Sequence, residues 1–105
     1  MTVLQDLLAK VEKSKVPQWF NWNSGIKGHG TNARLAYNGD LNAAKALHDT
    51  VLPGWKWGRQ WSCHMWVETD DMPGRSERHY GNVSDPARAW LIAVLRALIA
   101  QEGEA

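Results

Sequence analysis

Seven tryptophans in a chain of 105 residues are the feature that most limits how this sequence can fold. A folded chain of this size buries roughly two-thirds of its extended surface, so few complete indole rings fit inside. Only one phenylalanine and two tyrosines accompany them. The excess predicts that some indoles stay partly exposed as stacking or contact surfaces. The alternative is that most of them simply build a small core.

The rest of the composition indicates one folded domain without strong charge. Hydrophobic residues make up 44% and charged residues 22%, and the formal net charge is +1. A near-neutral chain is poorly suited to wrapping nucleic acid or binding an anionic membrane. The single cysteine, Cys63, excludes an internal disulfide, and no apolar run has the length of a signal or a membrane span. We expect a single domain, residues 1–105, in the cytoplasm.

Apolar spacing and capping residues predict three helices. Residues 2–13 carry leucines at helical spacing behind a Thr-x-x-Gln capping pattern. Asp40 is a suitable N-cap for a second helix, which Pro53 and Gly54 would end. A third helix is expected from Asp85-Pro86 to about Gly103, since aspartate caps well and proline suits the first helical position.

Alternating apolar and polar residues predict strands between the second and third helices. The alternation runs from Trp55 to Val67, and Gly58-Arg59 is predicted to form a tight turn that divides it into two strands. Residues 70–74 are expected to turn, and Arg78–Val83 to return as an antiparallel strand. The element order predicts an α+β fold, a helix–sheet–helix sandwich with about three antiparallel strands covered by three helices.

The segment between the first two helices, residues 19–39, is polar and rich in glycine. It predicts a long loop with a short strand at Arg34–Tyr37, and loops of this length usually bind something or move. Its glycines let backbone amides approach an anion, and Lys27, His29 and Arg34 add positive charge. The P-loop and dinucleotide fingerprints are absent, so a plain surface loop is the alternative.

Tryptophans interleaved with basic residues form the most suggestive pattern. Aromatic faces stack nucleobases at about 1–3 kcal/mol per base, and neighbouring cations hold phosphates. Tryptophan and arginine also anchor protein interfaces, so a dimer interface and plain core remain alternatives. The candidate ligand-binding residues are Trp57, Arg59, Trp61, Trp66, Arg78, Tyr80, Lys27, His29 and Arg34.

Catalysis, a metal and a cofactor are not predicted. The four histidines are scattered without the spacing of a metal site. Cys63 has apolar neighbours typical of an inert thiol, and no nucleophile elbow surrounds Ser62. The carboxylates of Glu68, Asp70 and Asp71 cluster at the predicted turn, where solvated side chains are usual. We expect no enzymatic activity.

Three stretches resemble the small phage and prophage proteins called phage ABA sandwich domains. They are Asn38–Leu47, the Pro-Gly-Trp-x-Trp junction at Pro53–Trp57, and the alanine-rich helix Asp85–Leu98. The similarity covers most of the chain apart from residues 23–34. The resemblance implies a helix–sheet–helix sandwich in a bacterial host, with no catalytic residues to transfer. Some small phage proteins sequester host nucleotide signals, which is an analogy of genomic setting only.

These observations lead to one hypothesis and one alternative. The hypothesis is a non-enzymatic phage accessory protein that binds a small anionic aromatic ligand, such as a nucleotide, by stacking on the candidate tryptophans. The alternative is a structural or protein-interaction module that forms a homo-oligomer, or binds a host protein, through a Trp-rich surface. Single-stranded nucleic acid is disfavoured by the near-neutral charge.

Overall fold

The α+β fold with a three-stranded antiparallel sheet is confirmed. The computed structural model describes residues 3–13, 15–17, 20–22, 26, 28–60, 64–72 and 75–103. Within these ranges the elements are α1 (Val3–Glu12), α2 (Gly30–Tyr37), α3 (Leu41–Val51), β1 (Lys56–Gln60), β2 (His64–Met72), β3 (Arg75–Asn82) and α4 (Pro86–Gly103). The strand order is β1-β2-β3, so β2 is central and the helices precede and follow the sheet along the chain.

Side-chain caps begin two of the predicted helices. The Asp40 carboxylate accepts a hydrogen bond from the backbone N–H of Ala43 at 3.1 Å, which satisfies a first-turn donor of α3. Asp85 accepts from the N–H of Ala87 at 2.9 Å at the start of α4. Both predicted starts are therefore confirmed, and α1 lies where the leucine spacing placed it. The predicted cap Thr2 lies outside the described residues.

The loop and short strand predicted before Asp40 are wrong in part, because residues 30–37 form helix α2. Ala33 and Ala36 are both fully buried. Residues three apart share one face of a helix but point to opposite faces of a strand, so only the helix buries both. Exposed polar residues such as Thr31 and Arg34 form the solvent side of α2, and they obscured this short apolar stripe in the sequence.

The predicted turn at Gly58-Arg59 is also wrong. Both residues lie inside β1, where Gly58 pairs with Trp66 and Arg59 pairs with Met65 of β2. The division into two strands holds, but it falls between Gln60 and the start of β2. Gly58 does not turn the chain here. Because it has no Cβ, it leaves space for the side chain of Trp66.

The second predicted turn, residues 70–74, is wrong at its first two residues. Strand β2 continues to Met72, so Asp70 and Asp71 are strand residues, while Pro73 and Gly74 lie outside the described part of the chain. The return of β3 antiparallel to β2 is confirmed, with an irregular register after Thr69. The strand prediction was therefore correct in direction and pairing, but short at this end.

Helix α4 forms the centre of the core. Every residue from Ala89 to Leu95 is buried, which is typical of a helix covered on all sides. Its contacts are with β2 and β3 on one side and with α1, α2 and α3 elsewhere. A Cβ at Gly81 would overlap with the backbone carbonyl of Ala89, so this glycine permits the close packing of β3 on α4. No helix among the described residues is long and apolar enough to cross a membrane.

Candidate functional site

The sheet separates the predicted ligand-binding residues onto two faces. Side chains alternate between faces along a strand, and paired residues on neighbouring strands share a face. Trp57 pairs with Val67, which is fully buried against the helices, so both point to the α4 side. Trp66 pairs with Gly58 and with Tyr80, and these three lie on the opposite side. We call that side, with Trp66, Arg78 and Tyr80, the outer face.

On the outer face the indole of Trp66 is covered by the protein itself. It lies across Gly58, where any Cβ would overlap with the ring. The Arg78 guanidinium lies over the same indole at 4.1 Å from its centroid. Glu68 holds Arg78 through a contact of 3.2 Å, and this hydrogen bond raises the pKa of Arg78 above its usual value. The Trp66 indole and the Arg78 guanidinium therefore contact each other within the protein.

Tyr80 is the most open aromatic ring of the outer face, with 38% of its surface exposed. Its ring meets His64 edge-on, at 6.4 Å between centroids. The Tyr80 carbonyl accepts a hydrogen bond of 2.7 Å from Arg96 of α4, which ties this part of β3 to the helix. The described side chains of the outer face thus pack against one another, with Tyr80 partly exposed.

On the other face Trp57 lines a groove between α3 and β1. One side of its indole packs on Trp90, with 4.4 Å between ring centroids, and yet 44% of Trp57 remains exposed. The cavity beside it has a volume of about 260 Å³. We call it the Trp57 groove, and its lining residues are Leu41, Asn42, Lys45, Trp57, Arg59, Met65 and Trp90.

A buried histidine holds the floor of this groove in place. His48 of α3 is 1% exposed, and its Nε2 lies 2.9 Å from the Trp55 carbonyl, to which it donates. Its Nδ1 accepts a hydrogen bond of 3.3 Å from the Trp90 indole N–H. These two bonds assign the proton to Nε2. They connect α3, α4 and the residue before β1, so Trp90 presents a defined surface to Trp57.

The charges at the Trp57 groove come from one paired and one unpaired cation. Lys45 contacts the carboxylate of Asp49 at 2.7 Å, and this hydrogen bond lowers the pKa of Asp49. Arg59 is exposed and forms no ion pair with any described residue. The groove therefore combines an open aromatic surface with one guanidinium that is available to an anion.

The remaining predicted residues lie elsewhere. Arg34 lines a separate cavity of about 420 Å³ with Tyr37 and Asn38, and it shares no lining residue with the Trp57 groove. His29 precedes α2 and makes no side-chain cap there. Four residues named in the sequence analysis lie outside the described residues, namely Lys27, Trp61, Ser62 and Cys63.

Sequence reasoning missed the half of the groove that α3 supplies. Leu41 directly follows the Asp40 cap and is 44% exposed. An apolar residue at this first-turn position was the signal in the sequence that could have indicated the α3 side of the groove. Asn42 and Lys45 carried no such signal, since polar residues on a helix surface are ordinary. Trp90 was correctly expected in the core, but its role as the support of Trp57 depends on packing between elements.

Comparisons with known proteins do not identify a ligand for the Trp57 groove. The described residues contain no group of three or more histidine, cysteine or acidic side chains placed to hold a metal ion. The likeness to phage ABA sandwich domains stays a prediction. No protein-family model, curated protein or solved structure matches this chain.

Proposed function

We propose that this protein is a non-enzymatic binding domain that holds a small, planar, anionic aromatic ligand in the Trp57 groove. The observation that carries the proposal is Trp57 itself, which is 44% exposed on one side while the other side packs on Trp90. An aromatic ring stacked on this indole gains about 1–3 kcal/mol. Arg59 lies at the same groove and supplies a planar guanidinium for the anion.

Rigid support makes the indole an effective platform. Trp90 is 3% exposed, and His48 fixes its indole N–H, so the surface below Trp57 loses little freedom when a ligand binds. Preorganisation of this kind increases affinity because less conformational entropy is lost on binding. Leu41 and Met65 add apolar contacts beside the ring.

The size of the groove limits how much of the ligand it can enclose. Pockets for drug-sized ligands usually measure about 300–1,000 Å³, and this groove measures about 260 Å³. It accommodates one aromatic ring and an adjacent anionic group, with the remainder of the ligand in solvent. A nucleotide has this chemistry. Sequestration of a nucleotide signal is an analogy with other small phage proteins, drawn only from the genomic setting that the resemblance implies.

Isothermal titration calorimetry tests the proposal with two matched tryptophan variants. The ligands are the four ribonucleoside 5′-monophosphates and their phosphate methyl esters. We expect binding by the wild type and by Trp66→Ala, whose indole is on the outer face, and a loss of about tenfold or more for Trp57→Ala. Circular dichroism checks that both variants fold.

Two results would contradict the proposal. One is the absence of binding by every ligand of the panel to the wild type. The other is equal affinity of Trp57→Ala and wild type for the ligands that do bind. A parallel pair, Arg59→Ala and Arg78→Ala, tests the cation: only the first is expected to weaken binding, because Glu68 already holds Arg78.

A homo-oligomer is the second candidate, and one observation favours it. Leu41 and Trp57 are each 44% exposed and line the same groove, which is the apolar, aromatic chemistry of an interface anchor. Sedimentation equilibrium of wild type and Trp57→Ala tests this reading. A wild-type dimer that Trp57→Ala dissociates would support the homo-oligomer. A monomeric wild type at micromolar concentration would contradict it.

A further inference from the structure

We infer that the Trp57 groove selects an aromatic ligand with a single negative charge, such as a phosphodiester or a carboxylate, over one with two or more. This inference rests on the proposed function, since it concerns the ligand of the same groove. It follows from counting which positive charges at the groove are available and which are already neutralised.

Lys45 lines the groove but is already paired. Its ammonium lies 2.7 Å from the Asp49 carboxylate, one helical turn further along α3. The Asp49 carboxylate is charged at neutral pH, and its hydrogen bond with Lys45 lowers its pKa further. An anion that approaches Lys45 therefore also meets a negative charge beside it, and the two largely cancel.

The start of α3 is a second source of positive potential that is already occupied. Leu41 and Asn42 lie in the first turn of α3, where unpaired backbone N–H groups and the helix dipole favour anions. The Asp40 carboxylate accepts from the Ala43 N–H at 3.1 Å and lies at that end. This carboxylate therefore already uses part of the positive potential at the start of α3.

Arg59 is the one cation among the described lining residues of the groove that has no ion-pair partner. A guanidinium binds one carboxylate or one phosphate group through two parallel hydrogen bonds, so it matches one anionic group well. Lys45 is the other charged residue of the described lining, and Asp49 already holds it. Further ligand charge therefore finds no second unpaired cation among these residues, and near Lys45 it meets the Asp49 carboxylate.

Ligands that share the base and the ribose and differ in the charge of the phosphate part test this inference. For each base, the nucleoside 5′-monophosphate is compared with its phosphate methyl ester, which removes one charge, and with its triphosphate. Titrations are done at low ionic strength, where exposed charges are least screened. We expect the methyl ester to bind about fivefold more tightly than the monophosphate, the effect of one like-charge contact in water, and the triphosphate to bind least.

Asp49→Asn is the diagnostic variant, and Asp6→Asn is its control. The Lys10–Asp6 pair on α1 has the same four-residue spacing as the Lys45–Asp49 pair, but it lies outside the groove. Asp49→Asn frees Lys45, so the preference for the methyl ester should shrink or reverse. Asp6→Asn should bind the whole series like the wild type.

The outcomes separate this inference from the proposed function. Trp57-dependent binding in which monophosphate or triphosphate equals or exceeds the methyl ester would overturn the charge selection and leave the proposed function standing. An unchanged preference in Asp49→Asn would overturn it as well. If no ligand of the series binds the wild type, the proposed function fails, and the inference fails with it.

Discussion

Trp57 and Trp66 lie on neighbouring strands of one sheet, but on opposite faces, and their surroundings differ. Trp57 rests on the indole of Trp90 and keeps an open side. Trp66 lies between the backbone of Gly58 and the guanidinium of Arg78. The comparison shows that a tryptophan beside an arginine is not by itself a binding site, because the two can satisfy each other within the protein.

The arginines on the two faces of the sheet also differ in their surroundings. Arg78 is held by Glu68 and covers a ring, whereas Arg59 has no ion-pair partner among the residues that the structure describes. The Trp57 groove therefore combines an exposed ring with an unpaired arginine, whereas on the outer face Arg78 is paired and covers Trp66, and Tyr80 is the exposed ring. The following substitutions test this contrast, beginning with the one expected to have the largest effect.

Trp90→Ala should cause the largest loss of stability, about 3–5 kcal/mol, because it opens a cavity in the core and removes the support of Trp57. Trp90 is 3% exposed, whereas Trp66 is only half-buried. Urea denaturation of Trp90→Ala and Trp66→Ala measures both. Equal losses would contradict the distinction between the two faces.

His48→Leu should cost about 2–3 kcal/mol, since it leaves the Trp90 N–H and the Trp55 carbonyl without their buried hydrogen-bond partner. His64→Leu, on the half-buried outer face, is the matched control and should cost less. Denaturant midpoints compare the two variants. A smaller effect at His48 than at His64 would show that the groove floor does not depend on this bridge.

Gly58→Ala should cost about 1–3 kcal/mol, because the new Cβ displaces the Trp66 indole from the outer face. A double-mutant cycle with Trp66→Ala isolates this effect. Once the indole is absent, the alanine at position 58 should cost little. Additive losses of stability in the double variant would mean that the Cβ at position 58 does not clash with the Trp66 indole.

Asp49→Asn should have the smallest effect on stability, and that effect should depend on pH. The Lys45 contact lowers the pKa of Asp49 below 3.8, its ordinary value, so the charged carboxylate favours the folded state. This contribution is present above pH 3.8 and is lost as the pH falls below it. Because the pair is exposed, the contribution is small.

Urea denaturation of wild type and Asp49→Asn at neutral pH and near pH 3 measures this contribution to the free energy of unfolding. The variant should be slightly less stable at neutral pH, and the difference should diminish in acid. A difference that is the same at both pH values would show that the carboxylate charge is not responsible.

Local patterns predicted the elements whose signals lie within a few residues. The caps at Asp40 and Asp85 and the antiparallel return of β3 are confirmed because each depends on neighbouring residues or on strict alternation. Helix α2 was missed since only small residues, Gly30, Ala33 and Ala36, are its buried residues. Gly58 was misread as a turn because glycine is common in turns and also where a ring crosses a backbone.

The amino-acid sequence by itself determined how many indoles the fold must place, seven in 105 residues, and from this number it predicted that some would be incompletely buried. Trp22 and Trp90 are buried, whereas Trp57 is not. Only the tertiary structure decided which ring stays open and which cation stays free. The physical reason is that periodicity describes one element at a time, while the Trp57 groove forms where α3, β1 and α4 pack together.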